Sequence, residues 1–187
     1  MEEINKSNFY LLMAAASILL IISIYLALKK PPKSDYKWYN LVGLTIAVMI
    51  ITLFIRIPLP SKGYFNFGDV AVVFGGLFLG FKGGALAGGI GSALADIIGG
   101  FPIFAPLTLI AKGLEGLITG FARNRTGLLF YLFPALGVLC MVAVYFIGET
   151  LMPQVGIGGA IAELPSNFIQ AGGGYAGGII LSRLIKP

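Results

Sequence analysis

The sequence contains no histidine and a single cysteine. The first absence removes the commonest general base and the commonest metal ligand together. The second excludes an intrachain disulfide and a cysteine-based metal site, since Cys140 stands alone inside an apolar run. Charge is scarce as well, at 11% of residues. Neither a G-x-x-x-x-G-K-[ST] phosphate loop nor a G-x-S-x-G elbow occurs, so nucleotide hydrolysis and serine acyl transfer lack their usual machinery. No inverted repeat with broken helices marks a self-sufficient secondary transporter. Nothing in the chain asks for a cofactor.

Apolar surface and glycine take the place of what is missing. Of 187 residues 57% are hydrophobic and 27 are glycine. The mean hydropathy is +0.92, which belongs to an integral membrane protein and not to a soluble domain. Apolar runs fall at about 8–28, 39–58, 69–81, 84–98, 104–121, 127–147 and 158–184, which predicts an all-α membrane protein of seven spans. Only Phe81-Lys82-Gly83 separates the two short central runs, so they are expected to form a tight helical hairpin. The first run follows the acidic "MEEINKSN" and lacks a basic leader and a cleavage site, and reads as a retained span.

Basic residues fall in alternate loops: Lys29, Lys30, Lys33 and Lys37, then Lys82, then Arg123 and Arg125, then Arg183 and Lys186. By the positive-inside rule those loops and the C-terminus face the cytoplasm of a multi-pass plasma-membrane protein, with the N-terminus outside. Trp38 and Tyr39 sit where an inner aromatic anchor would. The net charge of +5 thus reports topology, and no interleaving of aromatic and basic residues suggests nucleic acid.

Glycine recurs with a period. Gly80, Gly84, Gly88, Ser92 and Asp96 follow at intervals of four, as do Ser166, Gln170, Gly174, Gly178 and Ser182, and a third set is Lys112, Gly116 and Gly120. Such stripes let helix backbones approach closely in lipid. Each stripe carries a polar residue toward its outward end. A charge at membrane depth costs roughly 3 kcal/mol on insertion scales, so each needs a partner or a wet cavity.

Two readings of Asp96 stand: an ion pair with Lys112 across the hairpin, or direct ligand contact. Lys112 and Glu115 can also pair within their own helix. Asp69, after Gly68, reads as a helix cap. Asn167 and Gln170 share a helix face with Glu163 a turn further out, and Tyr145 and Glu149 share another. Amides offer donors and acceptors to a polar heteroaromatic ring, and Tyr64, Phe65, Phe67, Phe101 and Phe104 offer faces to stack on it. The alternatives are amides that tie helices together and aromatics that form an interfacial belt. An intramembrane enzyme would have only Ser92, Lys112 and Glu115 to work with, and without histidine that set is a poor one.

The stretch "NFGDVAVVFGGLFLGFKGGALAGGIGSALADIIGGFPIFAPLTLIAKGLEGLITG" resembles the central signature of substrate-binding S components of energy-coupling-factor (ECF) vitamin transporters. "VYFIGE" and "ELPSNFIQAGGG" resemble the fifth and sixth helices of the branch that takes up pyridoxine-like or hydroxymethylpyrimidine-like precursors. The resemblance covers about 39 to 184. It implies a six-helix S-component domain over 39–187, preceded at 1–38 by an extra transmembrane helix and a basic linker.

Such a subunit is not an enzyme. It captures a vitamin from outside beneath a lid, here Ser61 to Gly68, and then associates with a transmembrane coupling subunit and two ATP-binding-cassette ATPases, toppling to release the ligand inside. The implied ligand contacts are Tyr64, Phe65, Asn66, Asp96, Phe104, Lys112, Tyr145, Glu149, Asn167 and Gln170. The implied coupling face is Gly43 and Ala47, with a glycine where alanine is more usual. Thiamine, riboflavin or a queuosine precursor are alternative ligands, and a non-transporting scaffold of the same fold is the alternative role.

Overall fold

The computed structural model describes residues 37–58 and 64–185, which form five helices and one short hairpin. Helix α1 spans Trp38–Phe54, strand β1 Arg56–Pro58 and strand β2 Tyr64–Asn66. Helices α2 (Gly68–Ile98), α3 (Ala105–Gly120), α4 (Leu128–Leu151) and α5 (Gly156–Leu184) follow. The expected first span at 8–28, its basic linker up to position 36 and lid positions 61–63 lie outside the described residues.

Helix α2 is folded on itself. At Gly80 the backbone turns to φ 78 and ψ −177, far from helical values, and the helix resumes at once. A Cβ placed on Gly84 would lie 2.6 Å from the Gly76 Cα, and one on Gly88 would lie 2.8 Å from Val72 Cγ1. In a straight helix residues eight apart are separated by about 12 Å, so the two arms run antiparallel and face each other about Gly80. The expected hairpin is therefore present. Its turn is one glycine rather than Phe81-Lys82-Gly83, because only glycine adopts that φ without steric cost. With the arms taken separately, six helical rods are present among the described residues.

The rods pack in a ring, α2 to α3 to α4 to α5 and back to α2, with α1 laid against α2. The small-residue stripes are the contact lines. A Cβ on Gly116 would sit 2.2 Å from the Gly84 carbonyl oxygen, and one on Gly174 would sit 2.5 Å from Asp69 Cβ. Val73, Leu77, Ala111, Met141 and Val142 fill the space between.

The outside of the bundle is apolar. On α5 the buried residues include Glu163, Asn167 and Gln170, whereas Ile157, Ile161, Phe168, Ile169 and Ile180 are exposed. Polar inward and apolar outward is the reverse of a soluble helix. In α4 the most apolar stretch, of mean hydropathy 2.3, is only 28% buried in the bundle, and such a surface needs lipid against it.

Charge divides along the bundle. Lys37, Lys82, Arg123, Arg125 and Arg183 gather at the Gly80 end, where the Arg183 guanidinium lies 4.5 Å from the centre of the Phe130 ring. Of the chain's 8 acidic residues, Glu2, Glu3 and Asp35 lie outside the described part. The rest, Asp69, Asp96, Glu115, Glu149 and Glu163, are all buried, at most 4% exposed.

Candidate functional site

At the end opposite Gly80 the β-hairpin, both ends of α2, the start of α3, the end of α4 and the outer half of α5 converge on one cavity. The hairpin register pairs Arg56 with Asn66, Ile57 with Phe65 and Pro58 with Tyr64. Strand alternation then sends Tyr64 and Asn66 to one face and Phe65 to the other. Tyr64 and Asn66 line the cavity, whereas Phe65 is not among its lining residues and meets Phe67 edge to face at 5.2 Å. That face-to-face reversal is a correction to the placement of Phe65 in the site.

Asn66 does three things. Its backbone N–H donates to Gln170 Oε1 at 2.9 Å, its side-chain carbonyl accepts from the Gly68 N–H at 2.6 Å, and its side chain borders the cavity. The second bond serves an otherwise orphaned donor at the start of α2. Asp69 therefore does not cap that helix, as expected from sequence; it is turned inward. Its carboxylate pairs with Lys112, whose ammonium also lies 3.4 Å from Glu115 Oε2.

This changes the reading of Asp96. Lys112 takes Asp69 and Glu115 as partners, and the Tyr64 hydroxyl donates to Asp96 Oδ1. The Tyr64 ring is in turn 4.8 Å from Phe101. The carboxylate near the end of the second arm of α2 thus ties the β-hairpin down over the cavity through Tyr64. Folding α2 at Gly80 is the physical reason, because it brings Asp69 at the start of the helix against the middle of α3.

The other walls come from α3, α4 and α5. Tyr145 donates to Thr108 Oγ1 at 3.0 Å, and its ring centre lies 5.5 Å from the Lys112 ammonium. Gln170 Nε2 approaches Asn167 Oδ1 at 3.4 Å. Glu149 and Glu163 lie within hydrogen-bond reach of each other. Phe104 forms the apolar part of the wall, backed by Leu107 and Met152.

Of the ten ligand contacts expected from sequence, all except Phe65 line the cavity. Thr108 and Glu163 line it too. Thr108 is one turn before Lys112 on the same face of α3, a spacing that could have found it. Gly43 and Ala47 are elsewhere, on the flank of α1, and among the described residues nothing lies within 4 Å of a Cβ built on Gly43. Among the described residues no cluster of three or more potential metal ligands occurs.

The cavity is partly open to solvent, and Phe104 is the one lining residue without a polar side-chain atom. Such a polar lining suits a small polar molecule.

Residues 35–187 match the family described as ECF-type riboflavin transporter, S component. The chain belongs to that family. It is also similar to a Pyrococcus woesei protein described as an uncharacterized protein in gap 3'region, with 41% identity over 151 residues, 75% of this chain and 98% of that relative. An ECF S component is a multi-pass membrane subunit of a vitamin transporter, and transport, not catalysis, is its role. Membership implies a small-molecule vitamin as ligand and an ECF coupling subunit with its ATPases as partners. The family's description names riboflavin, and the match does not single out the pyridoxine- or hydroxymethylpyrimidine-type branch.

Proposed function

We propose that this S component captures a single-ring vitamin or vitamin precursor, pyridoxine-like or hydroxymethylpyrimidine-like, at the outward end of the bundle. The observation that carries this reading is the make-up of the cavity, with polar side chains at every lining position but Phe104. A small ring with several hydroxyl and nitrogen substituents can engage the Asn66, Asn167 and Gln170 amides, the Tyr64 hydroxyl and a carboxylate together. The β-hairpin pinned by Tyr64 to Asp96 acts as the lid, and lid opening admits the ligand. The basic Gly80 end faces the cytoplasm by the positive-inside rule. Uptake then proceeds by association with the coupling subunit and two ATPases, with Gly43 and Ala47 at the docking face.

Riboflavin is the second reading, favoured by the family description. Its three fused rings would require a larger apolar wall than Phe104 and the Tyr64 and Tyr145 rings provide.

Native mass spectrometry of gently purified protein, followed by calorimetric titration with pyridoxine, hydroxymethylpyrimidine, thiamine and riboflavin, tests both. Trp38 would be a poor reporter, being 65% exposed at the far end of the bundle. A co-purified single-ring compound with nanomolar affinity supports the first reading, and co-purified riboflavin replaces it with the second. A well-folded protein that binds none of the four overturns the capture role and favours a scaffold.

A further inference from the structure

Glu149 and Asn167 both border the cavity, and among the described residues neither Glu149 Oε2 nor Asn167 Nδ2 has a hydrogen-bond partner. Glu149 is 1% exposed and Asn167 4%. A buried polar atom left unpaired costs free energy until something meets it, so each calls for a complement from whatever fills the space.

Neighbouring groups fix the polarity of both atoms. The backbone N–H of Asn66 can only donate, so Gln170 turns Oε1 toward it, at 2.9 Å, and Nε2 toward Asn167. An amide nitrogen on that side calls for Asn167 Oδ1, at 3.4 Å, which leaves Asn167 Nδ2 as a donor on the cavity wall. Glu149 meets Glu163 within hydrogen-bond reach, and because Oε2 is unpartnered the contact runs through Oε1. With a proton held in that contact, or with none, Oε2 accepts. The polarity of this wall is therefore independent of the pocket's net charge. Glu163 and Asn167 are one turn apart on α5, so the acceptor beside Glu163 and the donor on Asn167 border one part of the cavity.

We propose that the pocket selects an aminopyrimidine by hydrogen-bond polarity: an unprotonated ring nitrogen accepts from Asn167 Nδ2, and the adjoining amino group donates to Glu149 Oε2. Gln170 is the positioning residue, because its amide, tied to the β-hairpin through Asn66, decides which atom of Asn167 the ligand meets. This rests on the capture reading above and narrows its substrate class. An amino group beside a ring nitrogen is a rigid edge with one donor and one acceptor, and it serves both atoms at once. A hydroxyl can turn to act as either and draws no advantage from fixed polarity. The reversed edge, a carbonyl beside an N–H, sets donor against donor and acceptor against acceptor, and both buried groups stay unpaired.

The test is calorimetric titration of the full chain in detergent at neutral pH with hydroxymethylpyrimidine, its oxo counterpart, pyridoxine and riboflavin. Hydroxymethylpyrimidine carries the amino edge, and the oxo compound keeps the other ring substituents with the edge reversed. The amino compound should bind at least about tenfold tighter than the oxo compound and than pyridoxine. Gln170→Met frees the Asn167 amide to turn, so the ratio of amino to oxo affinity should fall toward one. A purely structural loss would lower both affinities and keep the ratio, which would overturn the positioning role. Glu149→Gln can still turn a carbonyl oxygen to the ligand and should retain the amino preference, and loss of that preference would overturn selection by polarity. If neither variant folds, the ligand series on the unaltered protein still decides. Equal affinities for the two edges, a preference for the oxo edge, or pyridoxine or riboflavin as the tightest ligand would overturn the aminopyrimidine assignment and leave capture standing. No binding by any of the four, in protein with an intact helical spectrum, would overturn capture itself.

Discussion

At the residue scale the site turns on Lys112. It is 2% exposed and lies between Asp69 and Glu115, which are 1% and 0% exposed. Breaking a buried pair by removing one partner costs about 3–5 kcal/mol, because the other charge is stranded. Lys112→Met should therefore lower the thermal midpoint by many degrees, and a midpoint unchanged from the parent would show that the triad contributes nothing to the fold. Asn167→Ala and Gln170→Ala should each weaken ligand binding about tenfold, about 1.4 kcal/mol, in protein that still folds. Unchanged affinity in both would place the ligand elsewhere. Periodicity alone brought out the shared face of Asn167 and Gln170. The Lys112–Glu115 pair was legible from its three-residue spacing, whereas the Asp69 partner was not, because Asp69 and Asp96 are equally plausible until the position of the α2 turn is known.

At the scale of elements, glycine has two jobs that look alike in sequence. Gly84, Gly116 and Gly174 are spaced at multiples of four within their helices and allow close backbone approach, as their stripes suggest. Gly80 belongs to the same stripe yet is the turn, and only its φ of 78 distinguishes it. Gly116→Leu would drive a side chain into the Gly84 carbonyl, where even a Cβ comes within 2.2 Å, and should abolish folding or cost more than the about 1–3 kcal/mol usual for overpacking. Gly172→Ala is the control: among the described residues nothing lies within 4 Å of its Cβ, so the thermal midpoint should hold or rise slightly. Comparable losses from both substitutions would mean that the stripe is not the contact line. The β-hairpin was not foreseen for a different reason. Its strands are three residues each, too short for an alternating pattern to register.

At the scale of the whole molecule, the buried carboxylates and the basic loops occupy opposite halves of one bundle, and the flank of α1 belongs to neither. Along that flank Tyr39, Val42, Ile46 and Ile50 are exposed, with Gly43 open among them, at the three- and four-residue spacing of a single helix face. Among the described residues nothing packs against Gly43, so its lack of a side chain is not explained by their packing, as it is at Gly84 or Gly116. A bare backbone there permits close approach by a further helix in lipid, and the coupling subunit is the partner the proposed function calls for. Gly43→Leu should accordingly leave the affinity for ligand unchanged, since no residue of α1 lines the cavity. Uptake by cells or vesicles that also hold the coupling subunit and ATPases should be lost, and Ala47→Leu should behave in the same way. Full uptake by both variants would move the docking surface off α1. Weakened binding with normal assembly would instead show that this flank sets the position of the lid.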